Sequence, residues 1–200
     1  MKEKSTATKL FSTLLAVQTA SLLLTLMESL LGGGAVFGWV QKGLTAVFAI
    51  CLICLHTEHG LYRWSGICWA AVLGITVADL LLSTPEMLAD PGKRWIFTTL
   101  YWLRLAVSYP ATILEYLAYG KTAFLLKKRW TVLLIAQFVW VQLGSLFSSI
   151  AMQQYEAKAW TAQTVYSMAQ VLQLVNMAVQ MIYLWLLFET YRTVRKRDEK

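Results

Sequence analysis

The sequence predicts an all-α polytopic membrane protein: a bundle of six transmembrane helices with both termini in the cytoplasm. Three observations lead there. Of the 200 residues, 58% are hydrophobic and only 14% charged, whereas a soluble domain is about half apolar and a quarter charged. The apolar residues come in runs of about 20, the length a hydrocarbon core of roughly 30 Å requires of a helix. No stretch shows the alternation over about ten residues that marks a membrane barrel, so helices are the spanning structure expected.

The first span is expected over 10–31. Lys2, Lys4 and Lys9 precede it in the manner of a signal peptide. The apolar run is too long for one, however, and no small-x-small cleavage site closes it, so it is expected to be retained. Gly32, Gly33 and Gly34 end it. The second span is expected over 35–55, the third over 65–83, the fourth over 95–120, the fifth over 130–153 and the sixth over 164–191. Short loops join them, and no soluble domain is expected on either face. The longest outer connection contains Pro85, Asp90, Pro91 and Gly92, turn-forming residues that predict a lid-sized loop. Three small-residue stripes predict close helix packing: Ala16 and Ala20; Ala70, Gly74 and Ala78; and Gly144 and Ser148.

Basic residues set the orientation. Lys2, Lys4, Lys9, Arg63, Lys121, Lys127, Lys128, Arg129, Arg192, Arg195, Lys196, Arg197 and Lys200 fall on one side, against Lys93, Arg94 and Lys158 on the other. This asymmetry places the richer side, and both termini, in the cytoplasm of a multi-pass cell-membrane protein. Trp64 and Trp130 are then expected at the inner interface, and Trp39, Trp95 and Trp160 at the outer one. The net charge of +7 sits in the flanks of spans. It is therefore read as topology and headgroup attraction, with the lipid bilayer as the partner and no role in nucleic-acid binding.

Charge inside the spans directs the functional reading. Glu28, Lys42, Asp79 and Arg104 come from four spans and fall in the outer half of the membrane. Arg104 is nine residues below Trp95, or roughly 14 Å at 1.5 Å per residue. Each would cost about 2.5–3.5 kcal/mol alone, so intramembrane charge marks function by default. The expected arrangement is an outward-opening pocket for a small polar or zwitterionic solute. Arg104 would clamp an anionic group, and Asp79 or Glu28 would face a cationic one. Tyr101 and Ser108 share or border the Arg104 face. Gln170 and Gln173 join from a polar stripe on the sixth span that also holds Gln163, Ser167 and Gln180, with Asn176 nearby; Gln137 and Gln142 come from the fifth. The competing reading is a static ion-pair and amide network. Pro110 is expected to bend the fourth span. Glu115 lies deeper and is read as an interfacial partner of Lys121.

A second cluster is chemically distinct. Cys51, Cys54, His56, His59 and Cys68 hold every cysteine and histidine of the chain. Thiolates and imidazoles at this density are candidate metal ligands or redox groups. The spacing matches no standard zinc pattern, so no cofactor is expected, a metal at these five residues being the alternative. No GxxxxGKS/T, GxSxG or HExxH motif occurs, so ATP hydrolysis would need another chain.

The six-helix plan resembles the small solute-binding membrane components of vitamin uptake systems. In them, an AxxxA such as Ala16–Ala20 is a coupling feature. It also resembles the membrane sensor half of peptide-responsive histidine kinases. Neither likeness transfers site residues. The expected function is a solute-binding or transport component, acting with a partner subunit or as a homo-oligomer. A membrane sensor or scaffold using the basic segment after Tyr191 is second, and a metal- or thiol-dependent membrane enzyme is third.

Overall fold

The computed structural model describes residues 6–31, 35–83 and 91–199. The glycine run 32–34, most of the lid-sized loop (84–90), and the flanking Lys2, Lys4 and Lys200 lie outside the described residues. The apolar runs form six long helices: α1 (Thr6–Leu31), α2 (Ala35–Cys54), α3 (Gly60–Leu82), α4 (Arg94–Thr122), α5 (Lys127–Glu156) and α6 (Ala162–Asp198). Single 3-10 turns at Leu55–Thr57, Pro91–Lys93 and Phe124–Leu126 join or lead into them. Five of the six, all but α4, are long and apolar enough to cross a membrane, as in a multi-pass membrane protein. At 29 residues, α4 spans roughly 43 Å. Length is therefore no obstacle, but Arg104, Glu115 and four tyrosines lower its hydropathy.

The helices outrun the apolar segments because local chemistry ends them. α3 starts at Gly60, five residues before the expected span, because His59 is extended (φ −162°, ψ 133°) and its Nδ1 accepts from the Leu61 amide at 3.1 Å. This side chain supplies an acceptor to one of the orphan N–H donors of the helix start. Thr161 caps α6 in the same way, its hydroxyl accepting from the Thr164 amide at 3.2 Å. α4 runs unbroken through Pro110.

α5 ends in a Schellman turn. Ala159 N–H donates to the Gln154 carbonyl at 3.0 Å and Lys158 N–H to that of Tyr155 at 2.9 Å. Lys158 takes a left-handed φ of 55°, a conformation that favours glycine at this position. Lys158→Gly is expected to raise stability by roughly 0.5–1 kcal/mol, and Lys158→Ala to leave it unchanged, as read by thermal unfolding of the purified protein.

Around the bundle, α1 packs on α2, α2 on α3, α3 on α4, α4 on α5, α5 on α6, and α6 back on α1, with a further contact between α4 and α6. The ring is closed. One core cluster joins Phe11 and Leu14 of α1, Leu52 of α2, Tyr62 of α3, Tyr119 of α4, Trp130 of α5 and Leu187 of α6. The starts of odd-numbered helices thus meet the ends of even-numbered ones, which fixes an up-down alternation. Both termini lie at this end, called here the termini end.

The two ends of the bundle differ. At the termini end Phe11, Tyr62, Tyr119 and Trp130 are fully buried. Their rings form a chain across the bundle: Phe11–Tyr62 at 6.0 Å, Tyr62–Tyr119 at 5.7 Å and Tyr119–Trp130 at 4.7 Å between centroids. Trp130 also donates from Nε1 to the Thr190 hydroxyl at 3.1 Å. Trp130 is thus a core residue and not the interfacial anchor expected, whereas Trp64 is 60% exposed. The Arg197 guanidinium pairs with Glu58 at 2.6 Å, and the Thr8 hydroxyl donates to Asp198, so the end of α6 is tied to α1 and to the α2–α3 turn. At the far end, most residues of α5 from 141 to 156 and of α6 from 161 to 174 are exposed.

Close helix approach occurs at a glycine that no stripe contained. A Cβ on Gly66 would lie 2.7 Å from the Ala49 carbonyl oxygen and 2.8 Å from the Ile53 amide nitrogen, so α2 and α3 cross almost backbone to backbone there. A Cβ at Gly74 or Gly144 would meet nothing within 4 Å, and Ala16, Ala20 and Ala70 are exposed. Small residues at four-residue spacing mark only one face of a helix, and in this bundle that face is not the packed one.

Candidate functional site

A cavity of about 250 Å³ lies inside the ring, slightly below the range of about 300–1,000 Å³ typical of drug-sized ligand pockets. All six helices line it. α1 contributes Val17, Gln18, Ser21, Leu22 and Thr25, and α2 contributes Gln41, Leu44, Thr45 and Phe48. Trp69 comes from α3; Thr112, Glu115 and Tyr116 from α4; Gln137 from α5; and Asn176, Met177, Gln180 and Tyr183 from α6. These positions recur at three- and four-residue steps on α1, α2, α4 and α6, so each helix turns one polar face inward.

Among the described residues, Glu115 is the only charged one in that wall. It is 3% exposed. Its Oε2 accepts from the Trp69 indole N–H at 2.8 Å, and its Oε1 accepts from the Tyr183 hydroxyl at 2.7 Å. The Tyr119 hydroxyl sits 3.4 Å from that of Tyr183, and the Tyr116 hydroxyl donates to Gln137. Tyr116, Tyr119 and Tyr183 belong to the aromatic cluster of the termini end, so Glu115 stands where cavity and cluster meet. The ion pairs Arg192–Glu189, Arg195–Glu199 and Arg197–Glu58 lie near the termini end, outside the cavity. The reading of Glu115 as an interfacial partner of Lys121 is therefore corrected. Six residues of helix, roughly 9 Å of rise, lift Glu115 above Lys121, and its azimuth points it inward.

Two further pairs shape the wall. Gln41 donates from Nε2 to the Ser21 hydroxyl, which leaves the Gln41 Oε1 buried without a hydrogen-bond partner. The Ser65 hydroxyl donates to the Ala111 carbonyl at 2.9 Å, and this bond holds α3 against α4 one turn from Glu115.

None of the eight residues expected to bind ligand lines the cavity. Arg104 lies on α4 with its guanidinium over the Tyr101 ring at 5.9 Å. Lys42 donates to its own helix at the Gly38 carbonyl, 3.2 Å away, and sits 5.4 Å from the Trp39 ring. Glu28 is exposed and Asp79 half-buried, and no ion pair joins Glu28, Lys42, Asp79 and Arg104 among the described residues. The Ser108 hydroxyl donates to the Leu105 carbonyl at 3.1 Å. Gln170 is exposed, and Gln173 donates to Ser29 on α1 near the far end. The inner members of the polar stripes, Gln137, Asn176 and Gln180, do reach the cavity.

In the cysteine-histidine segment, His59 is occupied as the cap of α3 and the His56 Nδ1 lies 3.1 Å from the Ile53 carbonyl oxygen. Cys51 is buried, Cys54 exposed and Cys68 half-buried, and all three are free thiols. Among the described residues no three His, Cys, Asp or Glu side chains converge as metal ligands.

A sequence signal for this inward face was present. Thr112, Glu115, Tyr116 and Tyr119 form a polar and aromatic face on α4 at helical spacing, which lipid would not favour. Comparison with known proteins finds no matching family model, curated protein or solved structure. The cavity's own chemistry therefore carries the functional reading.

Proposed function

We propose that this is a cell-membrane protein of six spans with cytoplasmic termini, which admits a small polar solute from the outer side into its central cavity. It would act as a solute-binding or transport component, with a partner subunit or as an oligomer. One observation carries the reading: the cavity is lined by all six helices, closed toward the termini end by buried aromatic rings and bordered toward the far end by exposed segments. A polar chamber with one sealed end is the form a binding site takes when it loads from one side. The excess of basic residues in the flanks supports a cytoplasmic placement of the sealed end.

The test is thiol labelling. In a Cys51→Ala, Cys54→Ser, Cys68→Ala background, Asn176→Cys is expected to react with a membrane-impermeant maleimide added outside intact cells. Thr190→Cys, behind the aromatic cluster, is expected not to react. Reaction of Asn176→Cys from the cytoplasmic side alone, or from neither side, overturns the reading.

A second reading, a membrane sensor, is favoured by α6. This helix runs unbroken from the cavity residues Asn176 and Gln180 to Arg197 and Asp198, which grip Glu58 and Thr8. Cavity occupancy and tail position would then share one rigid element. Solute uptake by reconstituted protein is expected for a transporter and absent for a sensor.

A further inference from the structure

We propose that the solute of the central cavity is a small organic cation bearing N–H donors, and that Glu115 is its counter-charge. This rests on the reading of the cavity as a solute site and adds the ligand's chemical class. Glu115 is buried and faces the cavity. A carboxylate offers about four lone-pair sites; Trp69 and Tyr183 use one each, and the Tyr119 hydroxyl faces the same group. An ionised carboxylate withdrawn from water without a partner charge is strongly disfavoured. No lysine, arginine or histidine lines this cavity, and no ion pair to Glu115 occurs among the described residues.

A second, independent feature has the same polarity. The Gln41 Oε1, on the facing helix, is a buried acceptor without a donor. A carboxylate with spare lone pairs and one buried acceptor without a donor both favour a ligand that donates. The wall adds the rings of Phe48, Trp69, Tyr116 and Tyr183, and aromatic faces attract cations. An anion would meet the carboxylate's repulsion and no cationic side chain in the wall. A zwitterion's own carboxylate would have no positive partner, since Arg104 lies outside the wall. Primary ammonium, amidinium and guanidinium groups supply both the N–H donors and the positive charge that this wall lacks.

The test is a panel of charge-matched pairs read by thermal unfolding of the purified full chain: methylguanidinium against methylurea, and benzylammonium against benzyl alcohol and benzoate. At least one cation is expected to raise Tm in proportion to its concentration, while its neutral and anionic counterparts do not. Glu115→Gln is expected to weaken that cation at least ~10-fold, and Glu115→Asp to retain part of the effect.

Equal shifts from a neutral counterpart, unchanged in Glu115→Gln, would overturn the inference and leave the solute-cavity reading standing; that is also the result expected if a proton alone neutralises Glu115. Absence of a shift from every cation overturns it as well, and the cavity reading is then judged by thiol labelling alone. If Glu115→Gln does not fold, Gln41→Ala carries the test. It removes only the second acceptor and is expected to weaken the cation by about fivefold; unchanged affinity overturns the proposal.

Discussion

Adding one methyl group at position 66 is expected to disrupt assembly of the bundle. The Cβ of Gly66→Ala would stand 2.7 Å from the Ala49 carbonyl oxygen and 2.8 Å from the Ile53 nitrogen. Both atoms are backbone, so no side-chain rotation relieves the contact, and α2 and α3 must separate. Overpacking of this kind costs typically 1–3 kcal/mol. Here the separation would also pull on Ser65, whose hydroxyl bonds to the Ala111 carbonyl, and so would loosen α3 from α4. Gly66→Val is expected to leave little monodisperse protein after detergent extraction. Gly74→Ala and Gly144→Ala are the controls. With nothing within 4 Å of a Cβ, each is expected to match the parent or to gain up to ~1 kcal/mol from better helix propensity. Purification of Gly66→Ala with an unchanged Tm would show that the α2–α3 crossing is looser than described.

Trp130→Ala is expected to cause the other large loss, roughly 3–5 kcal/mol. The indole is fully buried and touches the rings of Tyr116, Tyr119 and Tyr183, with centroids at 5.2, 4.7 and 5.7 Å. Its removal leaves a hole in the aromatic cluster between the cavity and the termini end. The Thr190 hydroxyl would keep its own bond to the Leu186 carbonyl at 2.9 Å, so the loss is mainly of packing. Trp130→Phe keeps most ring contact and forfeits the Nε1–Thr190 bond, and is expected to cost about 1 kcal/mol. Trp64→Ala, at an exposed site, is expected to change stability by no more than about 0.5 kcal/mol. The pair separates a core tryptophan from an interfacial one: equal, small effects at 64 and 130 would contradict the sealed termini end. In the thiol-labelling background, Trp130→Ala should also make Thr190→Cys reactive, because the aromatic seal is what shields it.

The residues read correctly from the sequence are those whose role depends on position along one helix. Runs of apolar residues long enough to cross a bilayer mark the helices, and the six expected spans match the observed ones, with only Leu55 and Ser83 falling one residue beyond α2 and α3. The polar stripe on the sixth span was visible from its spacing, and its inner members Asn176 and Gln180 do line the cavity. The four outer charges do not line the cavity, for a geometric reason. Equal depth places Glu28, Lys42, Asp79 and Arg104 at one level, but meeting also requires that each helix turn the charged face inward. In a soluble protein hydrophobic periodicity reports that rotation. In helices apolar on most faces it is weak, because lipid-facing and core-facing positions draw on the same residues.

The sequence by itself predicted an all-helical chain of six spans, five of them in helices long and apolar enough to cross a membrane, and it singled out Glu28, Lys42, Asp79, Arg104 and Glu115 within them. Only the tertiary structure decided which of those charges is interior. Azimuth comes from the packing of neighbours, from Gly66 against Ala49 and from Trp69 reaching Glu115, and no single helix contains it. The ring of six helices turns Glu115 into the cavity and leaves Arg104 beside Tyr101 outside it.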